Sequence, residues 1–305
     1  MVVRRTPAGG SLTSVVDGGF YGPGSEAWRL NREAMLLLGA GPRALLLQIA
    51  HPLVAAGVAE HSDFQSDPWT RLSGTLRSYL RIVYGSAEMA RAEIRRLGEL
   101  HRGIRGEAYG RRYSALDPAL ALWVHATLVD STIAAYDAWL EPLTHAQRAR
   151  YYEETLPVGR AFGIPEATLP PDLEAFEAYL ADMLGPGGPI EVGPDARELA
   201  IAITHPPLGP AALAAGPIIG RLAPMLDGIP SRAYSWLFWP SIGLLPARVR
   251  EGYELPWGMR QRLVAGWLVS TWQAWRPMLP ASFRQMPQAI RVDRRVGAGR
   301  PLLPA

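Results

Sequence analysis

Residues Asp117–Leu140 read DPALALWVHATLVDSTIAAYDAWL, and the fold class turns on this stretch. Asp117–Pro118 is a strong helix start, because a capping carboxylate precedes a proline whose fixed φ suits the first helical turn. A long helix follows, and the pattern on both sides of it is helical too.

Toward the N-terminus, Ser86 caps AEMARAEIRRLGELHRGIRG (87–106), and Pro68 opens PWTRLSGTLRSYLRIVYG, which ends at Gly85. Pro42 reads as the first turn of a helix over 42–61, with Pro52 as a kink or break inside it. Ser25 reads as the cap of a helix to Leu38, stopped at Gly39. Toward the C-terminus, Thr144–Gln147 is a capping box, Pro171 opens another helix, and the Gly/Pro run at 185–194 is the clearest interior loop. Shorter, proline-punctuated helices lead to a long one around WGMRQRLVAGWLVSTWQAW (257–275). No hairpin signal, alternating strand run or internal repeat is found. The expectation is an all-α chain: a flexible segment at 1–24, one large helical domain at 25–290 and a basic tail at 291–305.

Composition narrows the chemistry. Of 305 residues, 48% are hydrophobic and 19% charged, enough for a large core. Without cysteine there are no disulfides, thiolate haem ligands, iron–sulfur clusters or Cys-based zinc sites. All 31 basic residues are arginine, so Schiff-base and P-loop lysine chemistry are excluded. The net charge of +3 reads as a small arginine excess spread along the chain, not the clustered stripe that nucleic-acid binding needs. An arginine pair near the N-terminus is followed by no apolar signal core, and prolines interrupt the apolar stretch at 198–224, so a cytoplasmic protein without an integral membrane span is expected.

Six histidines remain, at 51, 61, 101, 125, 145 and 205. His145, in a helix first turn, and His205, at a helix end, read as solvated or dipole-facing. His101 shares a helical stripe with Ala90, Ile94, Leu97 and Ile104, while Arg91, Arg95, Glu99 and Arg102 lie off it, so its imidazole points into the core. His125 shares a face with Leu122, Leu128, Val129 and Thr132 and is equally suited to burial. Either is explained by a buried histidine bonded to a carbonyl. No glutamate has histidine three residues on, and no His-Glu-x-x-His occurs, so neither a di-iron bundle nor a helical zinc site is indicated. One axial histidine holding a haem between apolar helices is the metal chemistry left.

Several stretches in order carry a resemblance: AHPLVAAGVAEHSDFQSDPWTRLSGT (50–75), ELHRGIRG (99–106), YSALDPALALWVHATLVDS (113–131), YYEETLPVGRAFGIP (151–165) and LPARVREGYELPW (245–257). Together they resemble the MpaB-type oxygenases, the family that includes the catalytic domain of latex clearing protein. The resemblance implies an all-helical fold and haem b bound through one histidine, which by motif falls on His101, with His125 as the fallback. It also implies an Arg-x-x-x-Thr pair lining the haem, here Arg71 and Thr75. The distal lysine of latex clearing protein is replaced by Gly74, which turns attention to His51 or His61 for the iron's open face and to a smaller apolar substrate than polyisoprene. Three functions stay open: a haem b oxygenase acting with O2 on an apolar, isoprenoid-like or unsaturated substrate; a haem peroxidase or hydroxylase with His51 as distal acid–base group; and a non-catalytic haem or lipid binder using the Trp-rich 231–246 segment. No electron donor is named by the resemblance.

Overall fold

The computed structural model describes residues 19–62, 68–205 and 230–297. Helix α6 (Pro118–Trp139) is the axis of the fold, starting as expected with the Asp117 carboxylate accepting from the Ala119 N–H. It is long and apolar enough to cross a bilayer, but 67% of that window is buried inside the protein. It is therefore surrounded by other helices on most sides.

Helix α1 (Glu26–Asn31) is capped by Ser25, and α2 (Ala34–Ile49) runs against α6. Two expectations fail here. Gly39 does not stop a helix and Pro42 does not start one; both lie within α2. A Cβ at Gly39 would sit 3.2 Å from the Trp139 ring, so glycine is what lets α2 and α6 approach. Pro42 lacks the N–H that would bond the Leu38 carbonyl, and the Ser241 hydroxyl donates to that carbonyl instead, at 2.7 Å. The actual break falls at Arg32–Glu33, where the buried Glu33 carboxylate takes Arg276 at 2.8 Å. Arg43 spans the α2–α6 seam, donating to Ser131 Oγ at 2.8 Å and the Leu244 carbonyl at 2.9 Å, and pairing with Asp130 at 2.7 Å.

The break at Pro52 is found. Helix α3 (Pro52–His61) leaves α2 at 99°, with Pro52 in its first turn. Pro68 opens α4 (Pro68–Tyr84), and Ser86 caps α5 (Ala87–His101) by accepting from the Met89 N–H. Helix α5 is shorter than expected. After it come β1 (Arg105–Ala108) and β2 (Arg111–Ser114), an antiparallel hairpin the sequence pattern did not indicate. Its turn is Tyr109–Gly110, both with positive φ (53° and 70°), as a two-residue hairpin requires. Ile104 is thus outside the helix and packs near Leu53, Ala56 and Tyr113 rather than on the His101 stripe.

Helix α7 (His145–Ala161) carries the full capping box. Helix α8 (Leu173–Leu184) is capped by Asp172, one residue past the expected Pro171. After the 185–193 loop comes α9 (Pro194–Thr204). Beyond residue 230 run α10 (Ser231–Tyr234), α11 (Trp239–Gly243), α12 (Ala247–Gly252), α13 (Met259–Trp275), α14 (Ala281–Arg284) and α15 (Pro287–Gly297). Helix α15 buries Ala289 and Val292, and its Asp293 pairs with Arg32 and accepts from Trp28 Nε1 at 3.1 Å. The domain edge placed at 291 therefore falls inside a docked helix. Tyr21, in the segment expected to be flexible, is buried. The remaining parts of both end segments, residues 1–18 and 298–305, lie outside the described residues.

Candidate functional site

The site is built on the α4–α5 helical hairpin. Its clamp is Glu93, 4% exposed, which accepts from Ser78 Oγ at 2.7 Å, Arg81 Nη1 at 3.0 Å and Arg96 Nε at 3.0 Å. The Arg96 hydrogen bond, together with those from Ser78 and Arg81, outweighs burial and holds the Glu93 carboxyl down at about 2. A buried carboxylate answered on three sides fixes how the two antiparallel helices are paired.

That pairing decides what meets at the open end. Arg71 lies seven residues before Ser78 and His101 eight after Glu93, so both stand about 11–12 Å along their helices from the clamp. The Arg71 charge acts on His101: burial first, then Arg71, lower its imidazole below the usual histidine value. The ring is half-buried. It is neutral at pH 7, the form that gives a nitrogen lone pair to a metal. Thr75 stands one turn from Arg71 on the same face of α4, and both are exposed.

The other histidines have different surroundings. His51 caps α3 without a side-chain cap bond; its ring is buried and Nδ1 has no partner among the described residues. Burial, then Arg111, lowers its pKa, against the opposing effects of a bond to its own backbone and of Asp117. His61 turns toward Glu60, 3.8 Å away, and edges onto Tyr113, whose hydroxyl bonds Glu60.

His125 is buried, and burial drives its pKa down to about 4. Its Nε2 has no partner among the described residues and faces Gly159 of α7, where a Cβ would stand 3.5 Å away and 3.1 Å from Leu169. A histidine packed this tightly leaves no space over Nε2 for a macrocycle. Leu128, placed on the same face by helical spacing, is exposed.

A bare metal ion needs several gathered donors, and no three His, Asp or Glu side chains gather that way among the described residues. Haem asks for only one axial imidazole plus cationic contacts for its propionates. His101, on which the Arg71 charge acts, fits that requirement better than His125, whose Nε2 is packed against Gly159.

The residue that sequence reasoning missed is Glu93. Its signal was a charge lying three residues after Ala90 and four before Leu97, against the apolar stripe rather than away from it.

Residues 28–279 match the family described as ER-bound oxygenase mpaB/B'/rubber oxygenase, catalytic domain. Two curated relatives, uncharacterized protein Rv2237 of Mycobacterium tuberculosis and uncharacterized protein Mb2261 of Mycobacterium bovis, are each 31% identical over 141 residues. Those residues are 44% of this chain and 55% of each relative, so the chain spans about half the length of the curated relatives it matches. No solved structure matches.

Proposed function

Because the chain belongs to the mpaB/rubber-oxygenase catalytic-domain family, we propose that it is a haem b-dependent oxygenase that holds its iron through His101 and acts with O2 on a small apolar, isoprenoid-like or unsaturated substrate. When bound, haem supplies the iron that activates O2. The chain supplies the rest. His101 offers a neutral imidazole nitrogen at the end of α5. Arg71 offers a planar cation for a propionate. Thr75 offers a hydroxyl on the same helix face, suited to hydrogen-bonding a polar atom of O2 or substrate. The Ser78–Glu93–Arg96 clamp keeps these groups in position.

What supports this reading is the Glu93 clamp, which pairs α4 with α5 so that Arg71 and His101 stand toward the same end of the hairpin, where the Arg71 charge acts on the imidazole. His51 is the distal acid–base candidate of the peroxidase reading, and product analysis under O2 or peroxide tests it. The replacement of latex clearing protein's distal lysine by Gly74 supports a substrate other than polyisoprene.

The test is haem stoichiometry and the Soret spectrum of protein expressed with a haem precursor. Wild type holds one haem, His101→Ala loses it or changes ligation, and His125→Ala keeps the wild-type band. A wild type that never binds haem refutes the proposal. A His101→Ala variant with an unchanged spectrum refutes the ligand assignment.

A further inference from the structure

Helix α13 packs one side inward, burying Ala265. Its other side is open among the described residues: Met259, Leu263 and Trp267 are each more than half exposed. At about 100° per residue these three lie within about 80° of one another, so they form one apolar stripe. By the same geometry Arg262 falls on one margin of the stripe and Arg260 on the other; both are exposed. Trp275, the last residue of α13, and Met278 just beyond it are exposed as well, off this stripe.

The charge is segregated as well. Residues 255–297 contain seven arginines and one acid, Asp293, for a net +6, whereas the whole chain carries +3. The excess is concentrated here, not spread along the chain. Arg276 and Arg284 turn inward to Glu33, while Arg260 and Arg262 remain at the surface.

We propose that the α13 face is a docking surface for an anionic lipid bilayer, lying in the interface with Met259, Leu263 and Trp267 inserted and Arg260 and Arg262 at the phosphates. The pattern is that of an interfacial helix: tryptophan and aliphatic side chains on one stripe, with cations at its borders. Anionic headgroups complement a segment almost free of acids. A second copy of the same face would set the arginines of one chain against those of the other. Docking at a bilayer also gives an enzyme access to an apolar substrate dissolved in it; that consequence rests on the proposed function, whereas the docking itself does not.

The test is co-sedimentation of the full chain with vesicles of phosphatidylcholine containing about 30% phosphatidylglycerol, against pure phosphatidylcholine. Wild type binds the anionic vesicles and is released by salt. Leu263→Glu/Trp267→Glu lowers the partition coefficient about ten-fold or more, and Arg260→Gln/Arg262→Gln lowers it about ten-fold and weakens the salt dependence. Both pairs are at the surface, so circular dichroism stays that of the wild type. Failure of wild type to bind, or binding unchanged in both double variants, overturns the proposal. So does a lipid-free wild-type dimer dispersed by Leu263→Glu/Trp267→Glu, which assigns the face to a second copy. Sedimentation does not depend on bound haem, so loss of docking and loss of haem are separate results.

Discussion

Replacing Glu93 by glutamine tests whether one buried carboxylate holds the α4–α5 hairpin together. Glutamine keeps the shape and a hydrogen bond to Ser78 but removes the charge that answers Arg81 and Arg96. Lowering a carboxyl from 4.5 to about 2 corresponds to about 3 kcal/mol in favour of the folded state. Both arginines are half-exposed and can be rehydrated, so screening reduces the expected loss to about 2 kcal/mol. For a chain of 305 residues that is a fall in Tm of roughly 3–4 °C. The pH dependence carries the sign. The folded carboxyl is depressed, so its contribution is complete above pH 4.5 and disappears as pH falls from 4.5 toward about 2. Wild type should lose stability through that window, and Glu93→Gln should not lose this component. Thermal and urea unfolding at a series of pH values measure both. Equal Tm values at pH 7 together with parallel profiles below pH 4.5 would refute the argument. If the proposed function holds, the variant should also release haem faster, because the clamp no longer fixes α4 against α5.

His125 titrates in a different window: its pKa is depressed, so the neutral form stabilises the fold fully above pH 6.5, and that contribution is lost as pH falls from 6.5 to about 4. His125→Leu should flatten the stability profile there and change stability at pH 7 by no more than about 1 kcal/mol, because the unpartnered Nε2 makes no bond to lose; a profile that keeps its slope between those values counts against burial as the cause. Arg43→Met should cost about 3–5 kcal/mol by leaving Asp130 without its partner, and Arg43→Met/Asp130→Leu should recover much of it. Urea unfolding of the two variants compares them, and additive losses would show that the pair is not coupled.

Where a local rule acted alone, the sequence was readable. The Thr144–Gln147 box, Ser86, Asp117 and the Pro52 break each rest on bonds within a few residues, and each is present. Where a distant partner decides, local rules misled. Pro42 looks like a helix start because nothing nearby indicates that Ser241, 199 positions away in the chain, will satisfy Leu38. Gly39 looks like a stop because Trp139 is invisible from its neighbours. The hairpin escaped because its turn is Tyr-Gly rather than Asn-Gly, and its strands are too short to show alternation. For the site, spacing could place Arg71 and Thr75 on one face, but the Glu93 clamp that sets how α4 lies against α5 is not legible from spacing alone.

The connections of α2 also bear on how the chain reaches its fold. Arg43 is satisfied by Ser131, 88 residues on, and by Leu244, 201 residues on; Leu38 and Leu46 are met by Ser241 and Tyr253, 203 and 207 residues on. Contacts of such separation close slowly, because loop entropy is lost before any bond is made. During synthesis, α2 and α6 can come together before the segment around residues 241–253 exists, but Arg43 and the α2 carbonyls then lack those partners. The N-terminal half should therefore emerge as a collapsed, incompletely bonded species whose consolidation waits for its distant partners.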